Sequence, residues 1–305
     1  MREIVVFGGS AHPALTAEIC ALLAVPQQQV RLQRFANDCL EVQLQANCRE
    51  RDVFLIQPLV YPVQEHLVEL LLMADAARGA SAARVTAVIP HYAYARSDKK
   101  DKPRISISAR LVADLLVTAG VDRVLTLNLH SPQVHGFFSV PVDHLHALRE
   151  LANHFRQRDL SNTVVVSPDL GYAKSAAAFA RRLGLPVAAG AKERISDSEV
   201  HITAIIGDVT GRDVIVLDDE ISRGTTVFEL LDRLRADGAR SVAVACTHGL
   251  FADNALDKLT AEVTEVVCTN SAPVPTDHPK LHVLSIAPAA TGRPSLRANS
   301  AALLA

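Results

Sequence analysis

The sequence predicts an α/β protein of two domains, each a mainly parallel sheet flanked by helices. Short β-branched runs alternate with amphipathic segments of helical period. The runs are continuously apolar, the pattern of strands covered on both faces, which parallel sheets require. The chain has 305 residues and is 49% hydrophobic, enough for two cores of ordinary size.

In order, the first strand is residues 4–7, IVVF, which runs into the glycine turn Gly8-Gly9. Residues 53–57, 85–89 and 124–127 follow as strands, with helices over 63–78 and 106–119 between them. A polar helical stretch over 144–159 precedes a new strand at 163–166, so the boundary is set between 145 and 146. The second domain, 146–286, continues with a helix over 172–183 and strands at 214–217, 242–246, 265–268 and 282–285. A helix over 226–237 carries Val227, Leu230, Leu231 and Leu234 on one face.

Composition excludes several classes. A formal net charge of -2 provides no basic field for nucleic acid. The five cysteines contain no CxxC pair, which suits reduced thiols in the cytoplasm better than a disulfide framework or a cysteine zinc site. Residues 1–10 lack the apolar stretch of a signal peptide, and no run reaches the ~18 apolar residues of a membrane span. GxxxxGK[ST], GxGxxG, HExxH and GxSxG are absent.

In open parallel sheets, ligands bind beyond the C-terminal strand ends, so the chemistry is sought there. After the apolar run 214–217 come three acids, Asp218, Asp219 and Glu220, then Ser222-Arg223-Gly224-Thr225-Thr226 and a helix. Free backbone N–H groups at a helix start favour phosphate, and Thr225 and Thr226 add hydroxyls. Asp218 and Asp219 suit sugar hydroxyls or a hydrated magnesium ion. The alternative for this stretch is a strand end with solvated acids and a Ser or Thr helix cap.

His130 and Asp169 each lie just past a strand, where a His and an Asp from different strands could share one metal or serve as turn residues. Arg96, Asp98, Lys99, Lys100, Lys102 and Arg104 make a basic loop behind Tyr92 and Tyr94, which suits a polyphosphate with an aromatic near its base, or a solvated charged loop. Within 189–200, Lys192 and Arg194 would make a cationic lid over a transferring phosphate, though a surface hairpin reads the same way.

These exits together resemble the ribose-phosphate pyrophosphokinase (phosphoribosyl pyrophosphate synthetase) family. The stretches that carry it are IPHYAYARSDKKDKPR, ISARLVADLLVTAGVDRVLTLNLHSPQVHGFFSVPVDHL, VVVSPDLG, IIGDVTGRDVIVLDDE and ACTHGLF, spread over almost the whole chain. The resemblance implies two phosphoribosyltransferase-type (type I) domains, 1–145 and 146–286, with the tail 287–305 returning to the first. It implies a cytoplasmic transferase of nucleotide biosynthesis, a homo-oligomer built from dimers and commonly hexameric. Its substrates would be ATP and ribose 5-phosphate, its cofactor Mg²⁺, and its products phosphoribosyl pyrophosphate and AMP. Carried over, Phe35, Asn37, Cys39, Arg96, Ser97 and Asp98 fall on ATP-contacting positions and His130 and Asp169 on metal-linked ones. Lys192 and Arg194 fall on the catalytic lid pair. Asp218, Asp219, Ser222, Arg223, Gly224, Thr225 and Thr226 fall on the ribose 5-phosphate loop.

The sequence departs from the family at defined places. Ser222-Arg223-Gly224-Thr225-Thr226 stands where the family has Asp-Thr-Gly-Gly-Thr, and Phe35-Ala36-Asn37-Asp38-Cys39 where it has Phe-Ser-Asp-Gly-Glu. Asn128 replaces an Asp, Ser97 a Gln, and Glu193 interrupts the basic lid. These changes bear on nucleotide choice, metal number and turnover. Two other classes share parts of the pattern. A non-catalytic partner subunit would explain Ser222, Asn37 and Cys39. A phosphoribosyltransferase would share the strand–acid–turn loop but not the similarity across both halves.

Overall fold

A computed structural model describes residues 3–194, 200–274 and 278–292. The chain divides into two compact units. One comprises Met1–His146, Ser271–Pro273 and Ile286–Ala305, the other Ala147–Asn270 and Val274–Ser285.

In the first unit the elements run β1 (Ile4–Gly8), α1 (Pro13–Leu23), β2 (Gln27–Gln28), β3 (Val30–Arg34), β4 (Leu40–Leu44), β5 (Asp52–Ile56), α2 (Val63–Gly79), β6 (Arg84–Ile89), α3 (Ser108–Thr118), β7 (Arg123–Leu127) and β8 (Val142–Leu145). Among the described residues, six strands form a parallel sheet in the order β2-β1-β5-β6-β7-β8. Side chains alternate across it. Val5, Phe7, Val53, Leu55, Val85 and Ile89 join Leu70 and Met73 of α2 and Val112 and Leu116 of α3 in one buried core. Apart from this sheet, β3 and β4 form an antiparallel hairpin.

The second unit comprises α4 (Leu148–Phe155), β9 (Thr163–Ser167), α5 (Ala173–Leu183), β10 (Val187–Arg194), β11 (Val200–Ile206), β12 (Asp213–Ile221), α6 (Thr225–Ala236), β13 (Ser241–Gly249), α7 (Ala255–Glu262), β14 (Glu265–Thr269) and β15 (Leu281–Leu284). Its sheet has the order β11-β10-β9-β12-β13-β14-β15, parallel except for the antiparallel β10–β11 pair. One face carries Val164, Val214, Val216 and Val244 against Leu230, Leu231 and Leu234 of α6 and Leu259 of α7. The other carries Val165, Ile215 and Leu217 against Leu151 and Phe155 of α4 and Phe179 of α5. The chain then enters α8 (Ala287–Thr291), which packs on α1 within the first unit.

The structure revises two readings. The strand expected over 214–217 continues through Ile221, because β12 pairs with β13 past the acids, Asp218 with Cys246 and Glu220 with His248, and Ile221 is buried. The acids are therefore within a strand, and alternation puts Asp219 on the face opposite Asp218 and Glu220. The polar stretch 189–200 contributes the end of β10 and the start of β11, with residues 195–199 outside those described.

Candidate active site

The turn after β12 is set by backbone contacts. Leu250 and Phe251 donate N–H bonds to the Ile221 carbonyl at 2.9 and 3.1 Å, and the Ala252 N–H reaches the Ser222 carbonyl at 3.0 Å. Gly224 sits at φ 75° immediately before α6, and a Cβ there would stand 3.0 Å from Phe228. Glycine adopts this left-handed conformation without the Cβ penalty. Among the described residues no side chain caps α6, and its first turn carries no acid. N–H groups at a helix start and the positive end of the helix dipole favour an anion, here beside Thr225 and Thr226. Arg223, in the same turn, has its Nε 2.7 Å from Asp253 Oδ2, in an exposed ion pair.

Beside the turn, Asp219 is 4% exposed and donates its backbone N–H to Asp218 Oδ1 at 2.8 Å. Burial first, then the Asp219 charge and the more weakly acting Asp169, push the Asp218 carboxyl well above the ordinary range. The Asp218 carboxyl thus sits in the field of two further carboxylates, which a nearby cation or hydroxyl donor would offset. Asp169 is held in turn: Ser167 Oγ donates to its carbonyl at 2.6 Å, and its Oδ1 accepts the Tyr172 N–H at 3.1 Å. Lys192 Nζ is 3.8 Å from Asp169 Oδ2, at a register shift between Ala191 and Lys192 in β10. Arg194 is in the backbone of β10, and its side chain lies outside those described.

In the first unit, His130 is exposed just past β7. The loop bearing it is fastened by a bond the sequence did not suggest: the Leu129 N–H donates to His144 Nε2 at 2.9 Å. Burial, and then the neighbouring His146 and His135, lower the His144 imidazole to about 4, so it accepts as the neutral ring. Ser131 Oγ donates to Asp98 Oδ2 at 2.5 Å, which orients Asp98 in the basic loop. Ser97 is committed locally, its hydroxyl donating to the Ser106 carbonyl and accepting the Ser108 N–H, each at 3.2 Å. Arg96 is exposed at the end of a short 3₁₀ turn.

Tyr92 corrects the aromatic reading. It is buried, edge-on to Phe138, and donates its hydroxyl to the Ala109 carbonyl at 2.8 Å, so it belongs to the core and cannot meet a base. Phe35, by contrast, is 45% exposed at the tip of the β3–β4 hairpin. Asn37 and Cys39 share that tip, and Asn37 Oδ1 accepts the Cys39 N–H at 3.3 Å. A further unanticipated network holds the exit of β1: Ser10 donates through its N–H and hydroxyl to the buried Glu69, which also accepts from Gln57.

Two α/β units, the second with a glycine turn before a helix, adjacent aspartates and a lysine toward its strand ends, suit a protein class that handles phosphorylated sugars. Comparison with known proteins narrows it. Residues 4–120 match the N-terminal domain of ribose phosphate pyrophosphokinase, and residues 195–287 match the phosphoribosyl synthetase-associated domain. A putative ribose-phosphate pyrophosphokinase of Streptomyces coelicolor is 71% identical over 95% of this chain and 92% of its own. A ribose-phosphate pyrophosphokinase of Deinococcus radiodurans is 50% identical over 93% and 92%. The crystal structure of phosphoribosylpyrophosphate synthetase from Mycobacterium smegmatis superposes with a TM-score of 0.89 at 39% identity, covering 95% and 96% of the two chains. The chain belongs to the ribose-phosphate pyrophosphokinase family, and its two units have the phosphoribosyltransferase-type fold.

Proposed function

We propose that the protein transfers the β,γ-diphosphoryl group of ATP to the C1 hydroxyl of ribose 5-phosphate, giving phosphoribosyl pyrophosphate and AMP. The observation that carries this is the conjunction in one unit of the Gly224–Thr226 cradle, the Asp218–Asp219 pair and Lys192 against Asp169. The cradle takes the 5-phosphate through the Thr225 and Thr226 N–H groups. Asp218 and Asp219 accept hydrogen bonds from ribose hydroxyls, and Ser222 and Arg223 flank them. Phe35 stacks on the base, while Asn37 and Cys39 border it. Arg96, Ser97 and Asp98 belong to the nucleotide loop.

The C1 oxygen bonds to the β-phosphorus, the bond to the α,β-bridging oxygen breaks, that oxygen departs on AMP, and the hydroxyl proton is released. Lys192 and Arg194 offset the negative charge that grows on the diphosphoryl oxygens. Mg²⁺ fits the hard oxygen donors of Asp169 and Asp218, whose mutual repulsion a dication relieves, and His130 is a further metal-linked residue. When bound, the ion neutralises phosphate charge. We place the enzyme in the cytoplasm, as a homo-oligomer based on dimers; its cysteines are unpaired, and no helix among the described residues is long and apolar enough to cross a membrane.

An omission assay tests the reading. AMP should form only with ATP, ribose 5-phosphate and Mg²⁺ together. Intact substrates would point to a non-catalytic partner subunit. Consumption of phosphoribosyl pyrophosphate with a free base would point to a phosphoribosyltransferase.

A further inference from the structure

Near the β15 edge of the second unit's sheet, away from the central strands β9 and β12 that lead to Asp169 and carry Asp218, a second polar cluster is assembled from three elements. Glu265 opens β14, His282 lies on the neighbouring β15, and His154 comes from the last turn of α4. Glu265 is only 5% exposed, so its charge needs compensation where it sits. Arg158 supplies it through both guanidinium arms, Nη1 to Oε1 and Nη2 to Oε2, the latter at 2.7 Å. The same Nη2 is 2.9 Å from His154 Nε2.

That geometry describes a cation position. A guanidinium nitrogen carries only N–H donors. In the tautomer whose Nε2 is unprotonated, His154 accepts from that guanidinium, as Glu265 Oε2 does. His154 Nε2 and Glu265 Oε2 are 3.1 Å apart, and both lie beside the Arg158 Nη2. His282 Nε2 is 3.6 Å from the same Oε2, and all three donor atoms lie within 4.8 Å of one another. Ligands at zinc distances of about 2.0–2.2 Å in a tetrahedron stand about 3.3–3.6 Å from each other, close to the separations of 3.1 and 3.6 Å here. His282 and Arg158 are exposed enough to provide an entrance and a way out for the guanidinium, at 44% and 43% for their side chains.

We propose that His154, Glu265 and His282 form a binding site for a zinc-class divalent transition metal, with Arg158 as the resident counter-cation that turns out to solvent when the ion enters. Two imidazoles and a carboxylate make a borderline donor set, which takes Zn²⁺, Co²⁺, Ni²⁺ or Cu²⁺ in preference to Mg²⁺ or Ca²⁺. The fourth position is left to water. The bound ion would tie α4 to β14 and β15, and so stabilise the unit without touching the phosphate chemistry. Because the donors are nitrogen-rich, the site remains selective when millimolar Mg²⁺ occupies oxygen sites.

The test is a Co²⁺ titration of the full chain, stripped with chelator and kept in excess Mg²⁺. One saturating equivalent with the visible absorption of a four-coordinate site, displaced by Zn²⁺, is expected, together with a rise in Tm. His282→Ala, at an exposed position, should abolish that equivalent while leaving the fold intact by circular dichroism. Arg158→Gln removes the competing cation and should tighten Co²⁺ binding severalfold; His154→Gln, which loses a ligand and keeps Arg158, should weaken it. Absence of saturable binding, or an unchanged equivalent in His282→Ala, overturns the proposal. Unaltered or weaker binding in a folded Arg158→Gln protein overturns the displacement.

Discussion

Lys192 Nζ stands 3.8 Å from Asp169 Oδ2, linking the strand that carries the proposed cationic lid to the exit of the strand beside it. The pair holds the lysine near a carboxylate until a more highly charged phosphate arrives. Its contribution to stability is small, since exposed ion pairs are worth little. Its contribution to catalysis should be large, because charge on a transferring diphosphoryl group must be met by placed cations. Lys192→Ala should lower kcat by roughly a hundredfold or more with a smaller change in KM, and Arg194→Ala likewise. Steady-state kinetics at saturating Mg²⁺ measure this, and near-normal kcat in both variants removes the pair from the mechanism.

Gly224→Ala tests the cradle. The left-handed φ of 75° would strain alanine by roughly 1–2 kcal/mol, and its Cβ would press on Phe228 at 3.0 Å. The helix start must then shift, so ribose 5-phosphate KM should rise more than ATP KM. Equal changes in both would place the phosphate elsewhere.

Arg223 is held by Asp253 at 2.7 Å. Asp253→Asn should free the guanidinium for the neighbouring anion and tighten sulfate or ribose 5-phosphate binding by roughly two- to fivefold, the range of an exposed pair. Calorimetric titration at low salt reads this. Unchanged affinity would mean that Arg223 points to solvent with or without its partner.

His144 makes the Leu129 bond only while its Nε2 is unprotonated. Its folded value of about 4 lies below the ordinary imidazole value of 6.5, so the unfolded chain binds the proton more readily in between. The stabilisation is therefore complete above about pH 6.5 and is lost as pH falls toward 4. Urea unfolding at pH 7 and pH 5 should show a smaller pH-dependent loss in His144→Asn than in the parent protein. An identical loss in both would assign the pH dependence to other groups.

At the hairpin tip, Phe35 is available to stack on a purine, while Asn37 and Cys39 lack the acids that would accept bonds from an adenine amino group. A site without such acceptors discriminates weakly. Comparable kcat/KM for ATP and other nucleoside triphosphates is expected. A preference for ATP over GTP of about a thousandfold would show that other groups read the base.

Sequence alone revealed the strands buried on both faces. Runs such as IVVF in β1 and TVVV in β9 leave no other reading, and the amphipathic segments that became α2, α3, α5 and α6 were legible for the same reason. Strands β2, β3, β4, β8, β10 and β11 were not, because segments such as Gln27–Gln28, VRLQR and the polar end of β10 are short or half polar, and pairing rather than apolarity makes them strands. The end of β12 was missed because three acids interrupt an apolar run, whereas the ladder to β13 carries the strand on to Ile221. Residue type and position could single out Asp218, Gly224 and Lys192 as candidates. They could not reveal that Tyr92 turns inward to Ala109, or that His144 reaches fifteen residues back to Leu129, since both depend on tertiary placement.

The account stands most directly on a ³¹P NMR time course with ATP, ribose 5-phosphate and Mg²⁺. The predicted result is loss of the ATP resonances with equal growth of AMP and of two mutually coupled phosphorus signals from a diphosphate on C1. Growth of ADP instead of AMP, which would mean transfer of the γ-phosphoryl group alone, or an unchanged spectrum from folded protein, would contradict it.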